Sequence, residues 1–164
     1  AHAYLDLWAL RSELGGLKWT EQGLEIGALC TYAEAMANPR LRAELPLLLH
    51  ASSLVGATQI QHRGTYAGNV ENGSPAADAV PALMALDATV RLLSADGARD
   101  VALADYYTGY RQTQRRADEI IGALIVPSRR LAAAGSGCAK LAPAPSRPSP
   151  KLGCVASSAG AMTG

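Results

Sequence analysis

The sequence predicts an α+β fold, an antiparallel sheet with helices packed on one face, and three observations predict it. A hairpin signature sits near the N-terminus, helix-start signatures recur between residues 31 and 86, and strand-like runs return after them. Strands at both ends of a helical middle suit an architecture in which helices gather on one side of an antiparallel sheet. The hairpin is Leu17 to Thr20 and Leu24 to Leu29 around Glu21-Gln22-Gly23, where Gly supplies the positive φ of a short turn. Thr31-Tyr32-Ala33-Glu34 fits a capping box, in which hydroxyl and carboxylate satisfy free amide groups, and Asn38-Pro39 is expected to stop that helix. Leu45 to Leu54 keeps apolar residues at a helical period behind Pro46, which a first turn tolerates.

From Ala57 to Asp78 the character changes. Gly64, Gly68 and Gly73 alternate with Thr65, Asn69, Asn72 and Ser74, and the stretch reads as a loop too small and polar to be a core element. Asp78 is expected to cap a helix with Pro81 in its first turn and Leu83, Met84 and Leu86 on its buried face. Ala88 to Leu93 alternates as a strand, and Ala95-Asp96-Gly97-Ala98 turns into Val101 to Leu103. Ile120 to Val126 is a β-branched run halted by Pro127, and the three strands are expected to pair as an antiparallel meander.

The chain has 164 residues, 49% hydrophobic and 18% charged, with a formal net charge of +1. Those values suit one soluble domain and exclude a protein built to coat a nucleic acid. The longest apolar runs are broken by Pro46 and Pro81 well short of the ~20 residues a membrane span needs. Ala1 to Leu10 carries Asp6 and lacks a basic n-region, so no signal peptide is read there and the expected compartment is the cytoplasm. No acidic residue follows Glu119, while Arg129, Arg130, Lys140, Arg147 and Lys151 do. Residues 1–127 are therefore expected to form the structured body, and residues 128–164, rich in Ala, Ser, Gly and Pro, a low-complexity tail without order.

Cys30, Cys138 and Cys154 are odd in number, scattered and without a CxxC pair, and His2, His50 and His62 have no ligand spacing. Neither a disulfide framework nor a metal site is expected. Gly64-Thr65-Tyr66-Ala67-Gly68-Asn69-Val70 is more specific. Glycines let main-chain N–H groups approach an anion and Thr and Asn side chains add donors, so a pyrophosphate suits it, although a tight surface turn would also need the glycines. It is not a Walker loop, since no Gly-Lys-Ser/Thr follows, and it does not match GxGxxG.

A longer string carries a family resemblance. Gln59-Ile60-Gln61-His62-Arg63 leads into that loop, Asn72-Gly73-Ser74-Pro75-Ala76-Ala77-Asp78 follows, and then Pro81-Ala82-Leu83-Met84-Ala85-Leu86-Asp87-Ala88. With Tyr106-Tyr107-Thr108-Gly109-Tyr110-Arg111 and Asp118-Glu119-Ile120-Ile121 running on to Pro127, the order and spacing resemble the FAD-binding subunits of molybdenum hydroxylases, the xanthine dehydrogenase and carbon monoxide dehydrogenase group. Roughly the first three-quarters of the chain is covered.

The resemblance implies an FAD-dependent oxidoreductase component, the second subdomain of that FAD-binding fold. It would take electrons from [2Fe-2S] clusters on an iron-sulfur subunit, fed by a molybdopterin-binding subunit, and pass them to NAD or another acceptor. It also implies a cofactor site made of Val55, Gly64, Thr65, Tyr66, Ala67, Gly68, Asn69, Asp78 and Ile121. Gly64, Thr65, Gly68 and Asn69 would line the pyrophosphate and flavin side, Asp78 would contact the cofactor, and Ile121 would pack near the isoalloxazine. Two departures bear on this. The family's double glycine is Ala67-Gly68 here, with Tyr66 in place of an aliphatic residue. The family's first phosphate-binding turn also has no counterpart upstream, so the segment is read as a fragment expected to bind FAD weakly or not at all. The competing readings are an inactive remnant or interaction domain that has lost flavin binding, and an unrelated nucleotide binder.

Overall fold

The computed structural model describes residues 5–131. After a 3-10 turn at Trp8–Leu10 and the short helix α1 (Arg11–Leu14), strands β1 (Leu17–Trp19) and β2 (Gly23–Gly27) form the expected hairpin. The capping box at α2 (Tyr32–Ala37) is complete: the Thr31 hydroxyl accepts from Glu34 N–H at 3.3 Å, and Glu34 Oε2 accepts from Thr31 N–H at 2.9 Å. Asn38-Pro39 does more than stop that helix. Asn38 Oδ1 accepts from Leu41 N–H at 3.0 Å and Pro39 occupies the first turn, so a further helix, α3 (Pro39–Glu44), starts where only a stop was expected. Helix α4 (Pro46–Ser53) follows as anticipated.

The stretch from Ala57 to Asp78 is not the loop its composition suggests. It holds α5 (Thr58–Gln61) and α6 (Tyr66–Asn72), and Tyr66, Ala67 and Val70 are buried. These three lie at i, i+1 and i+4, which places them on one helical face despite their polar neighbours. Thr65 opens α6 by accepting from Gly68 N–H at 3.0 Å, and Gly73, at φ +57°, closes it in the left-handed conformation.

Helix α7 (Ala79–Ala85) also departs from expectation at its start. Asp78 already has helical angles, φ −65° and ψ −38°, and its side chain makes no cap hydrogen bond. A capping carboxylate reaches back only from a non-helical residue, and Asp78 is not one. Leu83 and Leu86 are buried as expected, but Met84 faces outward.

Strands β3 (Thr89–Ser94) and β4 (Gly97–Ala102) form a hairpin, followed by the one-turn helix α8 (Leu103–Tyr106), a small two-stranded ribbon of β5 (Tyr107–Gly109) and β6 (Gln112–Thr113), and β7 (Ile120–Pro127). The main sheet is wholly antiparallel in the order β1-β2-β7-β3-β4. The expected meander is therefore wrong in order, since β7 lies between β2 and β3 rather than beside β4. Its run of apolar residues, buried on both faces, is best covered in the middle of the sheet, while β4, with Arg99 and Asp100, suits an edge.

Leu24, Ile26, Val90, Leu124 and Val126 share one face and join Leu48, Val70 and Leu83 of the helices in a single core. On the opposite face Arg91 bridges Glu25 at 2.8 Å and Asp100 at 2.9 Å. Residues 128–131, the described start of the expected tail, continue as a helical turn. Arg130 pairs with Asp87 at 2.7 Å and Leu131 packs on the core, while residues 132–164, with Cys138 and Cys154, lie outside the described residues. Among the described residues no helix is long and apolar enough to cross a membrane.

Candidate functional site

The start of α6 is fastened from two sides. Thr31 and Thr65 form an isolated antiparallel bridge, with Tyr32 N–H donating to the Gly64 carbonyl at 3.2 Å. The Tyr32 and Tyr66 rings pack with centroids 4.5 Å apart. Ser52 donates its hydroxyl hydrogen to the Leu48 carbonyl at 2.7 Å, so the Tyr66 hydroxyl, 2.6 Å from Ser52 Oγ, is the donor of that pair. Burial pushes the Tyr66 and Tyr32 phenols above their ordinary values. Gly64 is closely held: a Cβ there would lie 3.0 Å from the Ile60 carbonyl and 3.4 Å from the Tyr32 ring.

Beside this helix is a cavity of about 390 Å³. Ala67 and Gly68 of α6, Ala28 and Leu29 after β2, and Ile120 and Ile121 of β7 make it mostly apolar, and Leu5 and Leu7 line it from the N-terminal segment. Four segments of the chain thus meet here. Of the predicted residues, Ala67, Gly68 and Ile121 are brought together on the wall. Gly64, Thr65 and Asn69 lie along the same helix start, Val55 and Tyr66 are buried in the core, and Asp78 is exposed. Among the described residues two buried side-chain polar atoms have no partner, Asn69 Oδ1 and Tyr32 Oη, and Asp78 is close enough to contribute to the raised Tyr32 phenol.

Sequence reasoning missed the polar side of this cavity. Glu71 has both oxygens engaged, one by the Tyr106 hydroxyl and one by Arg115 Nε, each at 2.6 Å. Arg115 also donates to the Arg116 and Glu119 carbonyls, both at 2.9 Å. The Glu119 carboxylate accepts from Arg99 at 2.6 and 2.8 Å and from Arg116 N–H at 2.7 Å. No local spacing joins Glu71 to Arg115 or Arg99 to Glu119, and only the ribbon between β4 and β7 places them together.

The Arg99 guanidinium holds the Glu119 carboxyl down from 4.5 to about 2. A depressed carboxylate contributes stability above its unfolded value and loses it as pH falls through the folded one. Stability measured against pH should therefore fall between about pH 4.5 and pH 2 in the unsubstituted chain, and fall less over that window in Glu119→Gln. Parallel curves for the two would show that this pair does not contribute. Next to the site, burial pushes the Cys30 thiol up to about 12, which keeps it a neutral, inert core residue.

The profile of the FAD-binding domain in molybdopterin dehydrogenases matches residues 3–129. The chain is 34% identical over 116 residues to the glyceraldehyde dehydrogenase medium chain of Sulfolobus acidocaldarius, covering 71% of this chain and 41% of that one. It is 31% identical over 146 residues to a putative xanthine dehydrogenase FAD-binding subunit of Escherichia coli, covering 88% and 50%. Among solved structures it resembles reconstituted CO dehydrogenase from Oligotropha carboxidovorans, with TM-score 0.68, 33% identity, and 71% of this chain and 41% of that one covered. The chain thus spans half or less of the length of these relatives.

Proposed function

This chain belongs to the family of FAD-binding domains of molybdopterin dehydrogenases, and we propose that it is the FAD-holding part of the electron-transfer subunit of a molybdenum hydroxylase complex. The observation that carries the reading is the cavity in which Ala67, Gly68 and Ile121 meet. Its size and apolar lining suit a flat heteroaromatic ring, because ligand sites of several hundred Å³ are apolar with a few placed polar groups. The residues also fit the polar part of the group. Asn69 Oδ1 is a buried acceptor without a partner among the described residues, and the N–H groups of Tyr66 and Ala67 have no intrahelical acceptor, while that of Gly68 is held by Thr65 Oγ1.

In this reading Gly64, Thr65, Gly68 and Asn69 hold the ribityl and pyrophosphate side, and Ala67, Gly68 and Ile121 receive the ring. Tyr66 and Val55 support that wall from the core, and Asp78 contacts the cofactor from the surface. Bound FAD supplies two-electron redox chemistry that no side chain here offers. The protein's share is to fix the ring's position, exclude water from its apolar face and present the surface across which electrons pass. Electrons enter from [2Fe-2S] clusters on an iron-sulfur subunit, which a molybdopterin subunit feeds, and leave to NAD or another acceptor. The complex works in the cytoplasm.

The test is titration of the full gene product with FAD, followed by flavin fluorescence, and its co-purification with the products of neighbouring genes. One FAD per chain and capture of an iron-sulfur protein are expected. A full gene product that binds no FAD, or that oxidises a purine or aldehyde with no other chain present, would overturn this assignment.

A further inference from the structure

We propose that Arg115 tunes the reduction potential of the flavin by placing a fixed cation on the cavity wall, an inference that rests on the FAD reading above. The wall is apolar apart from Glu71, Arg115 and Glu119. The Glu119 carboxylate is engaged by Arg99 and by Arg116 N–H, so its charge is answered chiefly by a cation other than Arg115. Arg115 is anchored through Nε to Glu71 and through one terminal nitrogen to two backbone carbonyls, which fixes the plane of the guanidinium and stops it swinging into water. The Glu71 carboxylate beside it further favours its charged form. Glu71 in turn is pinned by Tyr106 as well as by Arg115, so the two opposite charges are held in one place.

Two electrons and one proton convert oxidised flavin to its reduced form at neutral pH, so the ring gains one negative charge. A charge on the wall therefore acts on the reduced form more than on the oxidised form. Arg115 favours reduction and Glu71 opposes it. Removing the cation leaves the Glu71 carboxylate unanswered and lowers the potential, whereas removing the carboxylate's charge leaves the cation unanswered and raises it. A merely structural role for the pair would not give opposite signs.

The experiment is spectroelectrochemical titration of the FAD-loaded full gene product and of its Arg115→Met, Arg115→Lys and Glu71→Gln variants. Arg115→Met should lower the preference for reduced over oxidised FAD roughly tenfold, a shift of about 30 mV to more negative potential for a two-electron couple. Arg115→Lys should recover most of it, and Glu71→Gln should shift the potential positive. Potentials unchanged with FAD bound, or shifts of the same sign in Arg115→Met and Glu71→Gln, would overturn the proposal. If Arg115→Met fails to fold, the sign of the Glu71→Gln shift decides alone, and a zero or negative shift overturns it. An unsubstituted protein that takes up no FAD would instead sink the cofactor reading itself.

Discussion

Replacing Gly68 with valine is expected to abolish FAD binding by the full gene product while leaving its fold intact. Gly68 is the third residue of α6, it lies on the cavity wall, and it is exposed. Its N–H is held by Thr65 Oγ1, and a Cβ at this position would come 3.0 Å from that same oxygen, so the cap must give by a few tenths of an ångström. Helix stability is not the obstacle, because valine is a better helix former than glycine. The branched side chain instead fills the space through which the backbone would meet the cofactor. Charge-assisted hydrogen bonds contribute about 1.5–3 kcal/mol each, so losing two weakens binding by roughly a hundredfold or more. Flavin fluorescence titration gives the affinity and circular dichroism melting checks the fold. An affinity within about threefold of the unsubstituted protein would mean that the cofactor is not held at this helix.

Leu124→Ala should cost the largest single amount of stability. Leu124 is 0% exposed in the central strand, opposite Ile26 on one side and Val90 on the other, beneath the helices. Truncating such a leucine removes its burial and leaves a cavity that neighbours on two strands cannot close, at about 2–5 kcal/mol. That is a large fraction of the 5–15 kcal/mol typical of a domain. Urea unfolding should show a midpoint lower by roughly 1–2 M at an unchanged slope. A shift below about 0.3 M would mean that β7 is not the centre of the core.

Much of the local structure is legible in the sequence, because its signals act over three or four residues. The Thr31–Glu34 box and the turn at Gly23 are each satisfied by near neighbours and appear where they were expected, and the run ending at Pro127 is a strand, although its partners β2 and β3 are distant in the chain. The family, too, was legible from the string through Gly64, Gly68 and Asp78, which the comparison of residues 3–129 supports. Local reading failed where two local rules compete. Asn38-Pro39 both ends one helix and starts another, and the Gly-rich polar stretch hides a buried face made by Tyr66, Ala67 and Val70.

Everything that depends on which distant segments meet was decided by tertiary structure. The sequence by itself determined the β1-β2 and β3-β4 hairpins, the Thr31 capping box and a set of candidate residues around α6. The position of β7 between β2 and β3 followed from the need to cover a strand that is apolar on both faces, which no spacing within the strand reveals. That placement brings Ile121 to Gly68, and the ribbon before it carries Arg115 to Glu71. Periodicity and capping describe one element at a time. A cavity is made by several, and its charged wall comes into being only when the core they share has closed.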